Sequence, residues 1–283
     1  MLTASITHDR IELKYKLPQR RIAAFARELS AHIAEHRFEG KGANRLPRAR
    51  HYVTTVYFDT ASRDLYRAVR ENEDNLKIRA REYYDLHPEL LELATSAADI
   101  VRYSPVLWVE IKGKQAGRTY KRRIGIPKAD VTSFFETGSV SPAMREIQER
   151  RGTDRVIDEL QELRERYPEP LRPSCLVNYR RTAFQDDAGA LRVTLDQRLA
   201  CFAATSDLWQ EVRPLLRDYL GPTSYEERAC VLEVKSTQQL PDWLLALLAD
   251  AAVERVPYSK FVTASEAVHG PLSAQVESLP PGA

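Results

Sequence analysis

Residues 75–84 read N-L-K-I-R-A-R-E-Y-Y, and the fold turns on how this stretch is oriented. As an extended strand it places Lys77, Arg79 and Arg81 on one face and Leu76, Ile78 and Ala80 on the other. A half-buried strand turns its apolar face to the core and scatters both signs of charge toward water. Here three cations share one face, about 7 Å apart along the strand. They repel one another unless carboxylates or a bound anion compensate. Taken alone, the stretch fits a solvated edge strand whose charges deter aggregation as well as it fits an anion site. The other strands decide between the two.

Toward the N-terminus, residues 8–17 alternate in the same way. Ile11, Leu13 and Tyr15 fall on one face, Arg10, Glu12, Lys14 and Lys16 on the other, and Pro18 ends the strand. Residues 20–35 set Ile22, Phe25, Ala26, Leu29 and Ile33 at helical spacing. Residues 40–50 form a basic loop, 52–58 a strand, and 60–70 a short helix. Toward the C-terminus, residues 86–103 read as a connection with a helical centre. Residues 106–112 and 118–126 form a hairpin. Helices follow at 127–137 and 142–167, the second interrupted near Gly152 and closed by Pro168, Pro170 and Pro173. Residues 174–184 and 191–202 are long strands joined by the turn D-D-A-G at 186–189. A helix at 207–220, a strand at 229–236 and helices at 241–252 and 259–268 complete a single domain over residues 1–270. Residues 271–283 read as a disordered tail. Hairpins with helices between them predict an α+β domain built on an antiparallel barrel.

Composition narrows the function by exclusion. The chain has 283 residues, 43% hydrophobic and 29% charged, an ordinary soluble profile. With 42 basic against 40 acidic residues, affinity for an anion must come from placement, not from total charge. No apolar run approaches the roughly 20 residues needed to span a bilayer. The opening M-L-T-A-S-I-T-H-D-R lacks the layout of a secretory signal, so a cytoplasmic location is expected. Cys175, Cys201 and Cys230 are odd in number and far apart, fitting free thiols in a reducing compartment.

The charged faces share one sign bias. Ten cations lie on them (Lys14, Lys77, Arg79, Arg81, Lys112, Lys121, Arg123, Arg181, Arg192 and Lys235) against four anions (Glu12, Glu110, Asp196 and Glu233). Opposite stand Leu107, Val109 and Ile111, then Leu191, Val193 and Leu195, then Leu232 and Val234. If those apolar faces meet a shell of helices, the charged faces line the interior. A cation-rich interior cannot be dry and empty, because uncompensated buried charge is very costly. A polyanion resolves the problem, since Arg and Lys both suit phosphate. The carboxylates then serve as metal ligands or counter-ions, with Glu233 the best placed to hold Mg²⁺ or Mn²⁺.

The chain resembles the triphosphate tunnel metalloenzyme (CYTH-like) superfamily. It is most similar to the polyphosphate polymerase branch, the catalytic domain of the vacuolar transporter chaperone complex. The motifs that carry the resemblance are, in order, E-L-K-Y at 12–15, Y-F-D-T at 57–60, K-I-R-A-R at 77–81, V-E-I-K at 109–112, Y-R-R-T-A-F at 179–184, L-R-V-T-L-D at 191–196, L-E-V-K at 232–235 and S-K-F at 259–261. The resemblance implies an eight-stranded antiparallel β-barrel forming a basic tunnel, with helices packed outside. It implies Lys14, Arg79, Arg81, Lys112, Arg181 and Arg192 as catalytic phosphate-gripping residues. Lys77, Lys121, Arg123, Tyr179, Lys235, Ser259 and Lys260 would bind substrate, with Glu233, Glu12 and Glu110 as the metal set. One departure bears on the branch: Arg10 stands where the cyclase and thiamine-triphosphatase branch has the first Glu of its Glu-x-Glu-x-Lys signature.

The implied activity is transfer of the ATP γ-phosphate to a growing inorganic polyphosphate chain. A triphosphatase on the same fold and a non-catalytic binder of polyphosphate or inositol phosphates are the alternatives. Retention of Glu233 counts against a pure binder. No nucleic acid is expected, since no exposed aromatic stacking platform is evident in the sequence beside the basic residues. Attachment to the inner face of a membrane would come through a partner protein.

Overall fold

The computed structural model describes residues 11–36, 50–72, 75–84, 106–115, 118–205, 207–209, 215–251 and 253–272. Ten strands form one antiparallel sheet: β1 (Ile11–Leu17), β2 (Arg50–Asp59), β3 (Lys77–Tyr84), β4 (Val106–Gln115), β5 (Arg118–Pro127), β6 (Arg172–Gln185), β7 (Leu191–Ala203), β8 (Thr223–Glu226), β9 (Cys230–Ser236) and β10 (Glu254–Arg255). Their spatial order is β10-β1-β9-β7-β6-β2-β3-β4-β5, with β8 beside β7. The helices are α1 (Ile22–Ser30), α2 (Asp64–Arg70), α3 (Val131–Thr137), α4 (Pro142–Glu149), α5 (Asp154–Arg166), α6 (Asp242–Asp250) and α7 (Lys260–His269). The α+β class and the eight long strands agree with the sequence.

The closed barrel does not. Among the described residues no ladder joins β5 to β1, so the sheet has two edges. The reason lies at β1, whose outer edge is already bonded. Its Tyr15 and Lys16 pair with Arg255 and Glu254 of β10, and the Lys14 carbonyl accepts from Val256 N at 2.9 Å. The two halves of the sheet nonetheless face each other closely enough for Lys14 and Glu12 of β1 to act on the charge of Lys77 of β3, and Glu12 and Lys235 on that of Lys112 of β4.

The helices cover the outer, apolar face. Ile78, Ala80, Leu107, Val109, Ile111, Ile124 and Ile126 share one cluster with Phe134 and Phe135 of α3, Met144 of α4 and Leu160 and Leu163 of α5. On the other half, Val193, Leu195, Leu232 and Val234 meet Phe25 and Leu29 of α1 and Leu244 and Leu248 of α6. Each such side chain, fully buried, contributes about 1.5–3 kcal/mol. The fold is therefore held largely from outside the sheet; on the inner face Phe261 of α7 packs against Tyr57, at 5.1 Å between ring centres, and the charged part of that face is released for other chemistry. In β3 the alternation is literal: Ile78 and Ala80 are buried while Lys77, Arg79 and Arg81 are half-buried.

Local signals account for most boundaries. Gly152, at φ +63°, separates α4 from α5, and Gly189, at φ +69°, turns the β6–β7 hairpin. Ser141 and Ser259 cap α4 and α7 by accepting from Met144 N (3.1 Å) and Val262 N (3.4 Å). One element is corrected. Where a helix was expected at 207–220, the described residues hold only a turn at 207–209 and a 3₁₀ turn, Arg217–Tyr219. The connection at 86–103, most of the loop at 40–50 and the tail from 273 onward lie outside the described residues. Among those described, no helix is long and apolar enough to cross a membrane.

Candidate functional site

Register decides which side chains share a face, because residues directly opposite across a ladder point the same way. Lys77 faces Lys112, which faces Lys121; Arg79 faces Glu110, which faces Arg123. On the other half, Arg192 faces Lys235, which faces Glu12; Thr194 faces Glu233, which faces Lys14; and Arg181 faces Asp196. All the charged faces read from the sequence thus lie on one side of the sheet, away from the helical clusters. Lys260 reaches this side from the start of α7, where Ser259 caps the helix.

Two carboxylates at the bottom of the face are fully neutralised. Glu110 has no exposed side-chain surface and touches four cations. Arg79 (2.8 Å) and Arg81 (3.7 Å) approach Oε2, while Lys121 (2.8 Å) and Arg123 (2.5 Å) approach Oε1. Burial pushes its carboxyl up, but the four cations outweigh burial and hold it well below the usual carboxylate range. Asp196 is equally buried. It accepts a two-pronged bond from Arg181 (2.6 and 2.7 Å), and Lys260 Nζ lies 2.7 Å away. Burial is again outweighed, and its pKa falls to about 2. These acids fix the directions of six arginines and lysines that would otherwise splay.

A second pair of acids is arranged differently. Glu233 pairs with Lys235 and lies 3.8 Å from Arg181, while Glu12 lies 3.3 Å from Lys14 and 3.9 Å from the same Lys235. Burial raises the Glu233 carboxyl, and Lys235 and Arg181 overcome that and hold it well below its ordinary value. The Lys235 ammonium therefore sits between two carboxylates on adjacent strands. That hard-oxygen pair suits Mg²⁺ or Mn²⁺ completed by water and phosphate oxygens, which is how Mg²⁺ is commonly held. Glu110 suits a metal less well, since four cations surround it and its side chain has no exposed surface. Among the described residues no group of three or more His, Cys, Asp or Glu could hold a metal on protein ligands alone.

The remaining expected residues fall into place around these centres. Lys14 donates to the Tyr258 carbonyl at 2.9 Å, and Lys77 to Asn75 Oδ1 at 2.5 Å. Burial, then Lys112 and Lys14, lower the Lys77 ammonium to about 8. Burial also lowers Lys112, with Glu12 opposing. Tyr179 is buried beneath two cations, with Arg181 5.2 Å and Lys260 5.0 Å from its ring centre. Its hydroxyl and those of Thr194 and Thr55 are buried, point into this face and find no hydrogen-bond partner among the described residues. A phosphate oxygen would satisfy them. Burial, then Arg181 and to a smaller extent Arg192, lower the His51 imidazole to about 3, with Asp196 opposing, so the ring is neutral near pH 7.

Residues on this face absent from the sequence reading include His51, Thr55, Tyr83 and Trp108. Trp108 alternates with Glu110 and Lys112, and Tyr83 follows Arg81 by two, so period two would have placed both. An aromatic platform therefore does accompany the basic residues.

Comparison with known proteins bears on the family. The profile of the VTC domain family matches residues 9–269. No curated protein matches the chain. Among solved structures, a candidate adenylate cyclase from Bacillus halodurans is 14% identical over 90% of this chain and 95% of its own, with a TM-score of 0.48. A candidate adenylyl cyclase from Hippeastrum, described as having a dominant triphosphatase activity, is 16% identical over 90% and 94%, with a TM-score of 0.44. The PH1819 protein from Pyrococcus horikoshii is 12% identical over 90% and 96%, with a TM-score of 0.41.

Proposed function

The chain belongs to the VTC domain family, and from that premise we propose that it is a metal-dependent polyphosphate polymerase. It transfers the γ-phosphate of ATP to the end of an inorganic polyphosphate chain held against the inner face of the curled sheet. The eight long strands act as the wall of a tunnel even though the ladder stays open between β5 and β1. The observation that carries this reading is the inner face itself. It holds ten cations, while two of its four carboxylates are fully engaged as counter-ions.

Phosphoryl transfer asks little covalent chemistry of a protein. It needs in-line positioning of the phosphates and neutralisation of their charge. Arg79 and Arg81, held by Glu110, and Arg181 and Lys260, held by Asp196, present pre-aimed donors to equatorial phosphate oxygens. Because their counter-ions fix them, little reorganisation is needed at the moment of reaction. Lys14, Lys112 and Arg192 complete the catalytic set. Lys77, Lys121, Arg123 and Lys235 neutralise the rest of the bound chain, Tyr179 donates a hydrogen bond to phosphate, and Ser259 fixes the start of α7. Glu233 and Glu12 would hold Mg²⁺ or Mn²⁺, which when bound supplies charge neutralisation at the phosphate oxygens. No side chain serves as a nucleophile, because the terminal phosphate of the chain is one.

The deciding experiment is incubation with ATP and Mn²⁺. Long polyphosphate on a gel supports polymerase, and free phosphate alone assigns a triphosphatase. Tight polyphosphate binding without ATP turnover assigns a binding module. Arg79→Ala and Lys112→Ala should each lower turnover sharply with the fold intact; wild-type rates in both would overturn the site.

A further inference from the structure

Along the inner face of β3 the cations stop at Arg81, and the next residue on that face is Tyr83, 36% exposed. Across the ladder from Arg81 stands Trp108, and across from Trp108 stands Gly125. Two guanidiniums approach the indole, Arg151 at 4.5 Å and Arg123 at 5.2 Å from the ring. Arg123 Nη2 donates to the Tyr83 hydroxyl at 3.4 Å, and the neutral His51 ring lies 5.8 Å from the Tyr83 ring. Trp108 belongs to neither apolar cluster, although Leu107 and Val109 beside it do. Core packing therefore does not account for an indole here. The charged ladder ends in a half-exposed aromatic floor rimmed by cations.

That floor is ill suited to phosphate, since an indole has one N–H donor and an electron-rich face. It suits a planar heterocycle, because aromatic side chains and arginine planes both stack on bases. Its place fits as well. Tyr83 lies one same-face step, about 7 Å, beyond Arg81, leaving room for a sugar between phosphates on the arginines and a ring on the aromatics.

We propose that Trp108 and Tyr83 stack the nucleobase of a nucleoside triphosphate whose phosphates lie on Arg81 and Arg79, with Arg151 closing over the base. Arg151 is exposed on the turn after α4, so it can rise and settle on the far side of the base. This inference rests on the phosphate-binding reading above and adds to it the part of the site that distinguishes a nucleotide from a bare polyphosphate.

The test is equilibrium binding of ATP and of tripolyphosphate, measured by calorimetry on the wild type, Trp108→Ala, Trp108→Phe and Tyr83→Ala. Loss of one base-stacking side chain should weaken ATP about tenfold while tripolyphosphate stays within about twofold. Trp108→Phe should recover most of the ATP affinity. Equal weakening of both ligands, or unchanged ATP affinity in Trp108→Ala, overturns the base platform. A wild type that binds tripolyphosphate as tightly as ATP also overturns it and leaves the phosphate site standing. Binding of neither ligand removes the phosphate reading itself.

Discussion

Glu110 and Asp196 share a face with Glu12 and Glu233, yet the two pairs are built differently. The first pair has no exposed side-chain surface, and its oxygens are enclosed by Arg79, Arg81, Lys121 and Arg123, or by Arg181 and Lys260. The second pair is 32% and 10% exposed, and the two acids share Lys235. An acid in a basic site can thus fix cations in place or remain open to exchange. Breaking the first kind should unfold the protein, and breaking the second should silence it. Glu110→Gln tests the sharper half of that contrast. Removing one side of a buried ion cluster leaves the other charges uncompensated, at about 3–5 kcal/mol. Urea unfolding should register that loss, and a change below about 1 kcal/mol would show that Glu110 is no more than a surface counter-ion.

Asp196→Asn should follow the same direction with a smaller loss, about 2–3 kcal/mol, because Arg181 keeps Glu233 within 3.8 Å. Its acid limb gives a second reading. The folded pKa, about 2, lies below the unfolded value, so the contribution is complete above about pH 4 and lost as pH falls through 2. The wild type should therefore lose stability over that window faster than the variant. Parallel acid curves would remove Asp196 from the stability argument.

Glu233→Gln probes the open pair. Turnover should fall at least about tenfold, with a raised requirement for Mn²⁺, while urea unfolding changes less than in Glu110→Gln. Glu12→Gln should repeat this more weakly, since Glu12 is the more exposed of the two. If Glu233→Gln instead unfolds the protein as readily as Glu110→Gln, the two pairs do one job.

The inner and outer faces were legible because period two is a local property: Leu107, Val109 and Ile111 against Glu110 and Lys112 need no partner strand to be read. What each acid does was not legible. Glu110 and Glu233 sit in the same apolar–acid–apolar–lysine context, and only register, joining Arg79 to a residue 31 positions away, separates them. The open edge was hidden for a related reason, since β10 is two residues long and carries no pattern. Glu82 broke the alternation outright. It lies on the apolar side of β3, where Lys128 Nζ (2.6 Å) and Leu215 N (2.9 Å) donate to it, both distant in sequence. Trp108 was not legible for a different reason: charge marks the inner face in the sequence, and an indole carries none.

The smallest effect concerns the two lysines whose ammonium groups burial lowers to about 8. Burial, then Lys112 and Lys14, bring Lys77 to about 8, and burial brings Lys121 to about 8 with Glu110 opposing. Lys121 is 40% exposed and water supports its charge, so Lys77 dominates the pH response. A phosphate chain prefers the ammonium form, so binding draws a proton onto Lys77 wherever the free site has lost it. Affinity for tripolyphosphate should therefore hold steady below pH 8 and fall above it, by up to about tenfold for each pH unit while one lysine controls binding. Calorimetry in two buffers of different ionisation heat would detect the proton uptake directly. Lys77→Arg should flatten the decline, because guanidinium keeps its charge throughout. A decline that survives in Lys77→Arg would move the titration elsewhere on the face and leave the enclosed acids as the feature that sets this strand apart.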